Sequence, residues 1–178
     1  MRHILFLFFI STTCLTVTAQ RTEVKLDEAL TELYQTDRFN GTVLYAENGK
    51  VLYRKAFGVT GPDGKTALNT HAAFNLASVT KQFIDVCILQ LAEKGALSID
   101  DDCKKYLPEL PYDGISIRNL MNHVSGIPEY FDVFNRYRGP LDTLDNNGLL
   151  KMFATYKPEL DFKTGSTWQY CNTNYALL

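Results

Sequence analysis

Between Val79 and Glu93 the apolar side chains Val79, Phe83, Ile84, Val86, Cys87, Ile88, Leu89, Leu91 and Ala92 cover most of the circumference of a helix. A helix of that kind is expected to be buried rather than laid on a surface, so the chain must fold around it in layers. Gly95, just past the last periodic residue, supplies a C-terminal cap. Of 178 residues, 46% are hydrophobic and 21% charged, with a formal net charge of -2. That balance excludes a disordered tail, a coiled coil, a collagen-like repeat and a basic nucleic-acid binder. The length suits one core of ordinary size, or one domain with part of another.

The elements around this helix are legible in outline. Val24, Leu26, Leu30, Leu33 and Tyr34 recur at near-helical spacing, which predicts an amphipathic helix ending near Phe39. Two β-rich runs follow, Thr42 to Ala46 and Val51 to Phe57, joined by Glu47-Asn48-Gly49-Lys50. Asn-Gly between such runs marks a hairpin, because both central turn residues need positive φ. Gly61-Pro62-Asp63-Gly64 breaks the chain into a loop. Ser98 to Tyr106 reads as polar and irregular. Ser116 caps a short helix running to about His123, and a further helix is expected over Asn146 to Tyr156. Tyr170 to Leu178 reads as the entry to another helix, and the chain stops there without a closing cap. The expectation is an incomplete domain.

The N-terminus has a different character. Arg2 precedes an apolar run from Ile4 to Ile10, then Val17-Thr18-Ala19 places short residues before Gln20. Residues 1–19 are expected to be a secretory signal peptide, which puts the mature chain, 20–178, outside the cell or in the periplasm. The run is too short for a membrane-spanning helix, so no stable span is expected after cleavage. Cys87, Cys103 and Cys171 then remain, an odd number that argues against a disulfide scaffold and permits at most one pair. No cysteine or histidine spacing supports a metal site, and no cofactor is expected.

The chemistry gathers at the start of the apolar helix, in Ala77-Ser78-Val79-Thr80-Lys81. A lysine three residues after a serine projects from the same helix face, so the two side chains can touch. A serine hydroxyl is a feeble nucleophile at neutral pH and needs an adjacent base. A lysine desolvated among apolar neighbours suits that role. An isolated Ser-x-x-Lys would still be read as an N-cap beside a solvated lysine. Tyr170-Cys171-Asn172 adds a phenol and an amide two positions apart, able to face one cleft together. The phenol can relay a proton, and the amide can hold a substrate carbonyl or a lysine ammonium.

Read together, these segments resemble the serine β-lactamase and penicillin-binding protein superfamily, in its class C-like branch with D,D-peptidases and esterases. The resemblance rests on residues 74–83 around Ser78 and Lys81, on Leu91 to Asp101, on Ile117 to Pro128 and on Tyr170 to Tyr175, in the family's order and spacing. It implies an α+β fold, a mostly antiparallel sheet flanked by helices and joined to a helical region, with the cleft between. It implies Ser78 as the acyl-forming nucleophile, Lys81 as acceptor of its proton with Tyr170 as partner or alternative base, and Asn172 as a binder of the substrate amide. The backbone N–H of Ser78 would be one oxyanion donor. The implied substrate is a β-lactam, a D-Ala-D-Ala-type peptidoglycan peptide or a small ester. The rival reading is a non-catalytic penicillin- or peptide-binding module, or an inactive fragment.

Two departures stand out. The family's third motif, a Lys/His-x-Gly strand, is expected beyond Leu178; Lys163-Thr164-Gly165 spells it but precedes Tyr170 and reads as a loop. Cys171 occupies a position where a small hydroxyl or alkyl residue is usual, and reads as an inert small side chain. His123-Val124-Ser125-Gly126 reads as a structural turn rather than half of a triad. Asp100-Asp101-Asp102 reads as a solvated loop, and Phe131, Phe134 and Tyr137 as cleft-lining or core aromatics.

Overall fold

Asn48 and Gly49 both adopt positive φ, 50° and 76°, and the chain reverses between them. In the computed structural model this turn joins β1 (Gly41–Glu47) to β2 (Lys50–Phe57) as an antiparallel pair closed by Glu47 opposite Lys50. The structure describes residues 22–61, 64–137 and 145–178. The expected signal peptide therefore lies outside the described residues, as do Pro62 and Asp63 of the expected loop. The described chain forms two compact units that divide between Asn75 and Leu76.

In the first unit, a helix over residues 22–35, α1, precedes the hairpin. Phe57, 5% exposed, takes Phe39 edge-on at 5.9 Å and Tyr34 at 6.1 Å, which holds helix and hairpin together. Tyr53 donates to Asp27 at 2.8 Å, and burial with that bond pushes its phenol up to about 12. A second antiparallel pair, β3 (Val59–Thr60) with β4 (Thr66–Ala67), was not expected; two-residue strands are too short to leave a periodic signature.

The second unit opens with a single 3₁₀ turn, Ala77–Thr80, continuous with α2 (Lys81–Glu93). Gly95 ends α2 at φ 71°: its N–H bonds Ala92 and that of Ala96 bonds Leu91, the paired closure that a left-handed cap allows. Ser116 caps α3 (Ile117–Met121) reciprocally with Asn119. A helix not anticipated, α4 (Tyr130–Tyr137), takes up the aromatic run. Its Val133 is buried, while Phe134 and Tyr137 pack against the core, so most of the aromatics of this stretch are core residues; Phe131 is exposed. Asp145 caps α5 (Asn146–Tyr156), and α6 (Asn172–Leu177) follows the extended Cys171.

The core of this unit is one cluster in which Leu110, Ile115, Leu120 and Phe153 are almost fully buried and Ile88, Ile117, Ile127 and Met152 nearly so. Each such side chain contributes roughly 1.5–3 kcal/mol relative to an exposed one. The expectation that α2 is buried all round is corrected here. Ile88 is its one buried residue, Ile84 packs against the cluster, and Val79, Phe83, Val86 and Leu89 are about half exposed. Apolar residues on every side of a helix need cover on every side, and the described core reaches only the Ile84–Ile88 side.

The three described cysteines are free, so no pair forms among them. Cys103 is buried, which pushes its thiol up to about 12. The acidic triplet is a set of structural acceptors. Asp100 pairs with Arg118, Asp101 takes Ser98 N–H, Lys105 and Tyr106, and Asp102 takes the N–H groups of Lys104 and Gly114.

Candidate active site

The 3₁₀ turn decides how Ser78 meets Lys81. At three residues per turn, side chains i and i+3 eclipse, so the lysine stands directly over the serine. Lys81 Nζ donates to Ser78 Oγ at 3.2 Å. Ala77, just before the serine, has φ 44°, a left-handed conformation that costs an L-residue roughly 1–2 kcal/mol. The serine thus precedes α2 proper rather than lying in its first α-helical turn.

From the other end of the unit come Tyr170 and Asn172. Cys171 between them is extended, so its neighbours share one side and its own side chain turns to the other. Tyr170 Oη lies 2.6 Å from Ser78 Oγ, Asn172 Oδ1 accepts from Lys81 Nζ at 2.9 Å, and Tyr170 Oη donates to Asn172 Oδ1 at 3.3 Å. Four side chains from two ends of the unit therefore close one ring of hydrogen bonds. Lys81 fills two donor positions, toward Oγ and Oδ1. With the Tyr170 proton on Asn172, the Ser78 proton points at Tyr170.

The expected apolar seat for Lys81 is not what forms. Nζ lies over the ring faces of Tyr170 at 4.9 Å and Tyr175 at 5.4 Å and is half-buried. Ring faces and two oxygen acceptors replace water around an ammonium. Tyr170 is 43% exposed and Ser78 is exposed, so the two hydroxyls meet at an open surface among the described residues. The Lys81 ammonium beside Tyr170, together with the bond from Ser78, holds its phenol below the ordinary tyrosine value.

What pins Tyr170 and Asn172 in place is the loop 123–130, and sequence reasoning missed most of it. Cys171 N–H donates to His123 Nδ1 at 3.1 Å, while the His123 ring lies 4.7 Å from that of Tyr170 and 5.2 Å from that of Tyr175. Burial first, and the Lys81 charge second, lower the His123 pKa, consistent with a neutral ring that accepts at Nδ1. The reading of 123–126 as a structural turn omitted this contact. Ser125 Oγ donates to Asn174 Oδ1 at 2.7 Å and accepts from Ile127 N–H at 3.1 Å, all of it buried. Thr173 Oγ1 donates to Pro128 O at 2.8 Å and accepts from Tyr130 N–H at 2.7 Å. Glu129 accepts from the backbone and side-chain amides of Asn172. The signal that pointed to them was a polar His-x-Ser-x-x-x-Glu loop beside a Thr-x-x-Tyr-x-Asn-Thr-Asn segment. Partners more than 40 residues apart leave no periodicity that pairs them.

The remaining motifs fall away from the chemistry. Thr164 Oγ1 donates to Ser125 O and Gly165 N–H to Val124 O, so Lys163-Thr164-Gly165 is a turn laid along that same loop. Cys171 Sγ faces Ile127 O at 3.3 Å, and burial pushes its thiol up. Among the described residues, no three His, Cys, Asp or Glu side chains gather as a metal ion would need, and no helix is long and apolar enough to cross a membrane.

Comparison with known proteins converges on one group. The beta-lactamase family profile matches residues 24–178. Penicillin-binding protein 4* of Bacillus subtilis (strain 168) is 39% identical over 153 residues, 86% of this chain and 33% of that protein. FmtA from Staphylococcus aureus superposes with a TM-score of 0.69 at 25% identity, over 84% of this chain and 41% of that one. A class C beta-lactamase gives a TM-score of 0.70 over 88% of this chain and 42% of that one. At 22% identity, that second likeness is one of fold. The α+β arrangement of helices with small antiparallel sheets is that of beta-lactamase and penicillin-binding folds, and the chain spans about a third of the length of the curated relatives it matches.

Proposed function

The chain belongs to the beta-lactamase family, a superfamily of serine hydrolases, and from that premise we propose that it acts through an acyl-enzyme on Ser78. The observation that carries the reading is the hydrogen-bond ring of Ser78, Lys81, Tyr170 and Asn172. The Tyr170 pKa is held below its ordinary value, so the phenol can give up its own proton to solvent, and the resulting phenolate, 2.6 Å from the Ser78 hydroxyl, is poised to take the serine proton. Tyr170 is then the base, and Lys81 is the cation that stabilises its phenolate. Ser78 Oγ forms the bond to the substrate carbonyl carbon, with its own backbone N–H as one oxyanion donor. When the C–N or C–O bond breaks, the proton on Tyr170 passes to the leaving group. Water, deprotonated along the same path, releases the acid and returns the proton to Ser78. Asn172 holds Lys81 in register and offers its amide edge to the substrate.

The proposed substrates are those whose carbonyl fits this chemistry: a β-lactam, a D-Ala-D-Ala-type peptide or a small ester. The proposed location is outside the cytosol, with residues 1–19 as the export signal. Labelling with a fluorescent penicillin and with a fluorophosphonate tests the assignment. Signal lost in Ser78→Ala supports it, and equal labelling of both proteins removes it. Release of nitrocefin product, D-alanine or p-nitrophenol then separates the substrate classes, and labelling without any release would leave a binding module.

A further inference from the structure

Asn172 makes its contacts in one of two possible orientations of its amide, and the choice is not its own. Its Nδ2 donates to Glu129 Oε2 at 3.2 Å, and its backbone N–H reaches the same oxygen at 2.6 Å. Its Oδ1 thereby faces Lys81 Nζ at 2.9 Å. An ionised carboxylate only accepts and an ammonium only donates. Turning the amide over would set oxygen against oxygen at Glu129 and nitrogen against nitrogen at Lys81, so each neighbour enforces the same orientation.

Glu129 is itself fixed on both sides. The carbonyl of Pro128 before it accepts from Thr173 Oγ1, and the N–H of Tyr130 after it donates to that same oxygen. Its other carboxylate oxygen, Oε1, is buried without a hydrogen-bond partner among the described residues. A buried acceptor left unsatisfied costs roughly 1–3 kcal/mol. Packing alone gives no reason for a carboxylate there, whereas the two donors on Asn172 do.

We infer that Glu129 is the positioning residue of this site: it locks the Asn172 amide so that its oxygen holds Lys81 over Ser78. The inference rests on the acyl-enzyme reading for its catalytic consequence, but not for its geometry. The two are separated by measuring both. In the full chain with ¹⁵N-labelled asparagine, the Asn172 side-chain amide is expected to show one proton shifted downfield and slow to exchange. A freely exchanging Asn172 amide in the unmutated protein would overturn the inference without any variant.

Phosphonylation by a fluorophosphonate supplies the second readout. Glu129→Ala is expected to lower the labelling rate constant about 10–100-fold, as misplacement of a supporting group does, with little change in the concentration dependence. Glu129→Gln offers one oxygen able to take both Asn172 bonds, and is expected to restore the rate to within a few-fold and to keep the shifted amide signal. Glu129→Ala labelling at the unmutated rate, or equal losses in both variants with equal falls in melting temperature, would overturn the inference. A protein that never labels, yet loses its Asn172 amide signature in Glu129→Ala, would remove the hydrolase reading and leave the role of Glu129 standing.

Discussion

The hydroxyls of Ser78 and Tyr170 lie 2.6 Å apart although 92 residues of chain separate them. That distance lies within the range of an O–H···O hydrogen bond, so a proton can pass directly between the two oxygens. The Lys81 ammonium, 4.9 Å from the Tyr170 ring centre, lowers the Tyr170 pKa and is the charge that would stabilise a phenolate in the proposed mechanism. On the proposed reading, the electrostatic arrangement around Tyr170 comes first and the Ser78 nucleophile depends on it.

Replacing Lys81 by Met tests that order. Removing the ammonium destabilises the phenolate, so the Tyr170 pKa moves back up toward the ordinary value of about 10. The rate of Ser78 labelling is expected to fall about 100-fold or more at neutral pH, and its rising limb to move to higher pH. A pH profile of fluorophosphonate labelling from pH 6 to 11 measures this; a limb that stays in place would assign the base elsewhere.

His123 should make the fold acid-sensitive. Its pKa is lowered below 6.5 in the folded chain, so between that value and 6.5 the unfolded chain binds more protons and stability rises with pH. Going the other way, stability falls as pH drops below 6.5. In His123→Asn the side-chain oxygen replaces Nδ1 as acceptor for Cys171 N–H, and asparagine tolerates the φ of 57° found there. Denaturant melts at pH 5 and pH 7.5 are expected to differ less for the variant than for the unmutated chain; equal differences would count against a buried neutral ring.

Ser125→Ala removes a hydroxyl that serves two buried partners, Asn174 Oδ1 and Ile127 N–H. Each orphaned group costs roughly 1–3 kcal/mol, so a loss of about 2 kcal/mol or more is expected in the unfolding free energy read from denaturant melts. A change below about 0.5 kcal/mol would mean that the loop does not depend on this hydroxyl.

Gly126→Ala is expected to be worse tolerated than an ordinary surface change. A Cβ there would sit 2.1 Å from the backbone oxygen of Phe162, and φ is 81°. Either the 123–126 loop or the 161–165 segment must move, and Tyr170 with it, so both the melting temperature and Ser78 labelling should drop. Gly165→Ala, at a similar φ of 80° but with open space around the Cβ, isolates the strain of positive φ alone.

The local features were legible because they depend on near neighbours. Asn48-Gly49 dictated its turn, Gly95 closed α2, Ser116 capped α3, and α5 formed where the sequence placed it. Ser-x-x-Lys spacing was likewise enough to bring Ser78 and Lys81 into contact, since three residues are one turn. In α4 the helical spacing of Tyr130, Val133, Phe134 and Tyr137 was present, but four aromatics in eight residues also suit a cleft wall, and only packing separates the two.

What tertiary structure alone decided was the other half of the site. Tyr170 and Asn172 reach the serine because Ser125, Glu129 and Thr173 bind across to the neighbouring segment by directed hydrogen bonds between residues 43 to 49 apart. The side of α2 that is covered was decided in the same way. Apolar periodicity records that a helix can be buried, whereas which face meets the core, and which polar side chains lose water, depends on what the rest of the chain brings alongside.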